Sequence, residues 1–469
     1  MDQTESIRPL FRGLGLPDTE LALKAVLGTI KDGVVPRRYA GETRFSPYNA
    51  GVLVPILHAY GEPYASVVGQ IFAQMDERLQ THFPDADGRS LNEWANMPVI
   101  GTTRVLQAYV ALGRTSAPHF QHAFRWVLKN QNTDGGFGLN EGDFSRMFST
   151  SVVAELLASI GGHQGELQKI ARFVMDTYDG TTGCWGVHAG KKPESGMACR
   201  SPNALAVQTW RCLTGAGVLD DARAGEFEST VGIVTRKLAE DIDNSVQPES
   251  GSIDLRTIQS VPLFHFVLVE VLTALLASGV EPWNYACFRG LRRLTSLQGA
   301  GGQFRYGAGA DELIWASVEA LRLLQRVEKE FAGGLEEFGR EAGEKMAPPG
   351  VEAGANRSRD ENQFKADARE FCNQELIPKL KLKMHSYDRA GVFLAAEMGL
   401  LRRKQVRVVL EYSSAMLTEE IVVKWVGIAE KERASLLVVL ASQAADIKTW
   451  RAVWEHNKQS SFPIELWVV

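Results

Sequence analysis

Residues Trp126-Val-Leu-Lys-Asn-Gln-Asn-Thr-Asp-Gly-Gly-Phe-Gly138 decide the fold: a helix runs into a Gly-rich turn carrying one aromatic, and an apolar helix with small residues near its start follows. The arrangement recurs at Asp179-Gly-Thr-Thr-Gly-Cys-Trp-Gly186 and at Leu294-Thr-Ser-Leu-Gln-Gly-Ala-Gly-Gly-Gln-Phe304. A unit repeated at this size governs the architecture and is read before any single motif.

Working outward, weaker copies complete a series. Apolar stretches at Ser46 to Gly61, Pro98 to Gly113, Phe148 to Gly161, Ser201 to Gly217 and Val261 to Gly279 each close on glycine, and a sixth, Asp311 to Leu324, runs into charged sequence. Each follows a more amphipathic stretch: Leu21 to Ile30, Tyr64 to Thr81, His119 to Lys129, Glu166 to Thr177, Glu226 to Leu238 and Trp283 to Leu297. Helices without a polar face are buried on all sides, whereas amphipathic ones cover a surface. Six hairpins of this kind predict an inner and an outer ring of helices. The same periodicity is compatible with an open solenoid.

The Asn132-Thr-Asp-Gly-Gly-Phe-Gly138 turn followed by Ser149-Thr-Ser-Val-Val-Ala-Glu-Leu-Leu157 resembles the repeat of squalene and terpenoid cyclases and of protein prenyltransferase β subunits. The resemblance spans roughly residues 15 to 328 and implies an (α/α)6 toroid with a largely apolar central cavity at the ends of the inner helices. It does not imply a chemistry, because one fold hosts unrelated functions.

Two catalytic patterns of that superfamily were sought in the residues. Class II cyclases protonate an alkene or epoxide with the middle acid of Asp-x-Asp-Asp, and so weak a base needs an acid shielded from water. Gly309-Ala-Asp-Glu312 is the nearest match, with Asp311 as the donor and Glu312 as the following acid, but Gly309 replaces the first Asp. Acids at a helix start also arise from capping and dipole complementarity alone. Prenyltransferases hold zinc with Asp-x-Cys and a distant His; here Leu313 stands two residues after Asp311, and no Asp-x-Cys occurs. His188 with Cys184 and Cys199 has no regular ligand spacing. No metal site and no cofactor are expected.

Ligand contacts are expected at the cavity. Arg146, Arg200 and Arg256 precede inner helices and suit an anionic head group, with pairing to Asp143, Glu194 or Asp254 as the structural alternative. Tyr48, Trp94, Phe148, Phe264 and Trp315 are candidate lining aromatics, and His265 with Glu270, Gln107 and Gln208 are polar interruptions that need partners or a cavity.

Composition bounds the rest. The chain has 469 residues and a net charge of -5, which favours neither nucleic acid nor an acidic membrane. No apolar run is long enough to span a bilayer. The N-terminus lacks the basic and apolar regions of a signal peptide, and five cysteines form no CxxC pair. A cytoplasmic protein with free thiols is the expectation.

Three segments follow from these patterns: the toroid over residues 1–327, a charged Gly- and Pro-containing linker over 328–363, and a small α/β domain over 364–469. In the last, apolar runs at Val406 to Tyr412, Ala434 to Leu440 and Pro463 to Val469 predict a parallel sheet. Helices are predicted at Phe364 to Met384, Arg389 to Arg402, Thr418 to Lys431 and Ala444 to His456. No nucleotide-binding signature marks the domain. The reading these features favour is a toroid that binds an isoprenoid, lipid or peptide without the superfamily's catalytic motifs, joined to a docking or signalling domain that offers a surface to a protein partner. Its alternatives are an active cyclase using Asp311 as general acid, and a non-catalytic scaffold subunit.

Overall fold

A computed structural model describes residues 16–84, 97–186, 199–219, 222–254, 260–282, 285–344, 392–398, 404–413, 436–441 and 464–468. Two compact units emerge, one of Leu16–Glu281 with Arg289–Val327, the other including Pro282–Phe288 and Glu328–Val469.

Among the described residues, twelve helices, the last two of which include residues assigned to the second unit, alternate between two rings. The outer ring comprises α1 (Thr19–Leu27), α3 (Ala65–His82), α5 (Pro118–Lys129), α7 (Gln164–Asp176), α9 (Ala222–Glu240) and α11 (Tyr285–Leu297). The inner ring comprises α2 (Pro47–Ala59), α4 (Pro98–Ala111), α6 (Met147–Ile160), α8 (Arg200–Gly215), α10 (Val267–Ala277) and α12 (Ile314–Glu344). Inner helices pack in succession, α2 on α4, α4 on α6, α6 on α8 and α8 on α10. The glycines that end five of them, Gly61, Gly113, Gly161, Gly217 and Gly279, all take positive φ, the conformation that stops a helix and costs any other residue.

Hydrogen bonds within the turns explain why the repeat has its sequence. Phe137 is fully buried, and its N–H donates to the Thr150 hydroxyl at 2.9 Å, inside the first turn of α6. Trp185 N–H donates to Asn203 Oδ1 at 3.0 Å, and Phe304 N–H to Ser317 Oγ at 2.8 Å. At these three inner-helix starts a polar residue therefore receives the backbone donor of the buried aromatic, which would otherwise be orphaned. Gln131 at the end of α5 donates to the carbonyl of Glu166 in the next outer helix at 3.1 Å. Its counterpart Gln298 bonds both the N–H and the carbonyl of Asp18, each at 2.9 Å.

That last pair joins residues 280 positions apart and closes the ring, as do two links from α12 to α2. Tyr48 donates to Glu319 at 2.5 Å, and the Gln325 amide donates to the Ile56 carbonyl at 3.0 Å. The open solenoid is thereby excluded.

The fifth inner element differs from expectation. Val261 to Gly279 is not one helix: Ser260–His265 is strand β4, paired antiparallel with β3 (Glu249–Asp254), and α10 begins only at Val267. Pro262 lacks the N–H that a helix interior requires, and Val261 favours extended backbone. A smaller hairpin, β1 (Tyr178–Asp179) with β2 (Cys184–Trp185), forms the second Gly-rich turn.

In the second unit, β5 (Val392–Met398), β6 (Lys404–Ser413), β7 (Leu436–Ala441) and β8 (Ile464–Val468) form one sheet in that order. Strands β6, β7 and β8 run parallel, whereas β5 pairs antiparallel with β6, placing Val392 opposite Leu410. Within the helix expected from Arg389 to Arg402, Val392–Met398 is therefore a strand, and Val392-Phe-Leu is β-favouring sequence. The helices expected at Phe364 to Met384, Thr418 to Lys431 and Ala444 to His456 lie outside the described residues.

Candidate ligand cavity

Inner helices α2, α6 and α12 place their second residues, and α4 and α10 the residues just ahead of them, around one space. A cavity of about 770 Å³ runs through this space, within the size range of small-molecule sites.

Its first tier is aromatic. Tyr48, Phe148 and Trp315 stand at the second positions of α2, α6 and α12, and Phe264 lies just before α10; all four line the cavity. The Tyr306 ring lies 5.6 Å from Trp315 and 5.2 Å from Phe264, forming a continuous three-ring patch. Phe148 meets the His265 ring edge-on at 5.9 Å.

About 10 Å deeper along the helices, at 1.5 Å per residue, the lining turns polar. Arg104 Nη1 donates to Glu155 at 2.9 Å and to Gln107 at 2.8 Å, while Nη2 lies 3.9 Å from Glu319. Arg322 pairs with Glu155 and lies 3.8 Å from Glu319. Tyr48 links the tiers, its hydroxyl on Glu319 and its ring 5.7 Å from the Arg104 guanidinium. Two arginines and two glutamates thus tie α4, α6 and α12 together with no net charge, and Tyr48 adds α2.

The ion pairs dominate the titration of Glu155. Burial alone would raise its pKa, yet the Arg322 and Arg104 guanidiniums hold it at about 2. Arg104 is 4% exposed; burial would release its proton, and Glu155, Tyr48 and Glu319 outweigh that to hold it more tightly than usual. The Tyr48 hydroxyl is pushed well above the tyrosine range, first by burial and then by Glu319. Cys212, also in the lining, is pushed up to about 12 by burial and by Glu155, so its thiol is not an activated nucleophile.

Not every residue singled out from sequence reaches the cavity. Arg146 is 1% exposed and pairs with Asp143 at 3.1 Å, and Arg200 bonds Asp241 at 2.6 Å; neither lines the cavity. His265 Nδ1 sits 2.7 Å from the Ser201 hydroxyl and 3.1 Å from Glu270 behind the lining, while Glu270 itself faces in. Gln208 lines the cavity and donates to the Glu270 carbonyl at 2.7 Å. Asp311 is exposed at the rim next to Tyr306, whereas Glu312 turns away towards Arg305, 3.5 Å distant. Trp94, Arg256 and His188 lie outside the described residues. Among the described residues no cluster of His, Cys, Asp and Glu is suited to a metal, and no helix is long and apolar enough to cross a membrane.

The sequence reading passed over Arg104, Glu155, Glu319 and Arg322. The signal was present, since each is a charge set in an apolar inner helix, the same criterion that drew attention to His265 and Glu270.

No family model and no curated protein matches the chain. Among solved structures it is similar to the apo form of the type II terpene cyclase MstE from Scytonema, at 12% identity and a TM-score of 0.45, covering 70% of this chain and 100% of that one. It is also similar to a protein from Actinoplanes, at 14% identity and a TM-score of 0.42 over 66% of this chain and 98% of that one. A wild-type glycosidase gives 13% identity and a TM-score of 0.42, over 66% and 96%.

Proposed function

We propose that the toroid is a binding protein for an amphiphile, an isoprenoid, a lipid or an apolar peptide segment, and that it performs no cyclisation. The carrying observation is the tiered cavity, whose aromatic end offers an apolar body flat ring faces while the deeper tier offers donors and acceptors. Polar groups placed at fixed depth in an apolar pocket orient a ligand and select it. The C-terminal unit, with its mixed sheet, is read as a docking or signalling module for a protein partner.

Trp315→Ala tests the lining role. Binding of a fluorescent lipid should weaken at least tenfold while the thermal midpoint moves little; equal losses in both would reduce Trp315 to a core residue. Asp311 supports a second reading, because it borders the same cavity and could act there as a general acid. Its exposure tells against it, since an acid strong enough to protonate an alkene must be kept from water. Asp311→Asn should therefore not weaken lipid binding and should reveal no lost turnover of polyprenyl substrates; a wild-type cyclised product that vanishes in this variant would establish the enzyme instead.

A further inference from the structure

The segment preceding α2 carries two arginines that reach the cavity rim, Arg37 and Arg38. Their backbone is fixed from several sides. Both N–H groups donate to Glu42 Oε2, at 3.1 and 2.8 Å. The Arg37 carbonyl accepts from the Asn49 amide at 3.0 Å, and the Arg38 carbonyl from the Ile314 N–H at 2.9 Å. The segment is thus bound to the first turns of α2 and α12, the two helices that close the ring. Rigid attachment of this kind presents side chains at the rim without a folding step on binding.

Among the described residues no carboxylate comes within ion-pair distance of either guanidinium. Glu42, an acid close in sequence, accepts both backbone donors on Oε2 and offsets part of the positive charge of Arg37. The arginines therefore repel one another, and Glu42 compensates only part of their charge. Arg37 shows the consequence: it is held below the usual arginine range by burial, then by Arg38 and Arg44, and Glu42 only partly offsets this. Guanidiniums on adjacent residues at one cavity rim are suited to the oxygens of a phosphate or carboxylate. The other arginines lining the cavity with known pairing, Arg104, Arg211 and Arg322, already face carboxylates.

We propose that Arg37 and Arg38 form the head-group site of the cavity, so that its ligand is an anionic amphiphile whose phosphate or carboxylate rests at the rim and whose apolar body lies against the aromatic tier. This rests on the reading of the cavity as an amphiphile site. It assigns to Arg37 and Arg38 the role that the sequence suggested for Arg146 and Arg200, whose guanidiniums face Asp143 and Asp241.

Calorimetric titration of the full chain with dodecyl phosphate, dodecanoate and dodecanol tests it. The two anions should bind at least tenfold more tightly than the alcohol, about 1.4 kcal/mol, with the advantage shrinking as salt is raised. Arg38→Gln, at an exposed position that folding tolerates, should remove most of that advantage, and Arg37→Gln with Arg38→Gln should remove all of it while leaving dodecanol affinity unchanged. Asp311→Asn, which removes the acid on the same rim, should tighten the anions. A preference for one anion over the other identifies the head group. Dodecanol binding as well as the anions, or variants that keep the anion preference, would overturn the head-group site and leave the cavity reading standing. Binding of none of the three would overturn both.

Discussion

Glu155 is the residue on which the polar tier turns. It accepts from Arg104 on α4 and Arg322 on α12 while itself on α6, and keeps 43% of its side-chain surface accessible because it lines the cavity. Its folded pKa of about 2 lies below the reference value of 4.5, so the stability it contributes is complete above about pH 5 and is lost as pH falls towards 2. Glu155→Gln should lower the thermal midpoint at neutral pH and flatten its decline between pH 4.5 and 2; a decline as steep as wild type would assign the acid sensitivity to other groups. Removing one partner from such a network costs more than the pair contributes, because charges are left facing each other uncompensated. Here Arg104 and Arg322 would be left to share Glu319 alone, at 3.9 and 3.8 Å.

At the scale of elements, the inner ring depends on close helix approach at Gly51. A methyl group there would fall inside contact distance of the Arg104 carbonyl on α4, leaving no room between the two backbones. Gly51→Ala should cost roughly 1–3 kcal/mol through overpacking and shift Arg104, weakening ligand binding as well. Gly69→Ala on the outer helix α3 meets open space and should be neutral or stabilising. Denaturant titration of both variants checks the contrast, and equal stabilities would contradict the close approach. The hairpins were legible in sequence because their aromatic, small-polar and glycine positions are local: Phe137, Thr150 and Gly161 lie within one repeat. The β3–β4 hairpin was not, since Val261 to Gly279 is largely apolar and its polar interruptions, His265 and Glu270, fit a buried helix as well as a strand-to-helix junction. Strand β5 was missed for a related reason, as the Val392 to Met398 pattern shows its period only when paired with β6.

For the whole molecule, closure is the property that converts a repeat into a container. Gln298 to Asp18 and Gln325 to Ile56 connect the last hairpin to the first, contacts between residues 280 and 269 positions apart. Sequence periodicity has no access to such distances, so it leaves ring and solenoid equivalent. The same separation hid the site: Tyr48, Arg104, Glu155 and Glu319 converge from four hairpins, and the arginines nearest the repeat motifs, Arg146 and Arg200, point to local carboxylates instead. Native mass spectrometry of the protein purified from its own host, with lipid extraction of wild type and Trp315→Ala, addresses the container directly. The account predicts a co-purifying amphiphile in stoichiometric amount that is lost from the variant. A wild-type protein that carries none and takes up none on incubation with host lipids would contradict it.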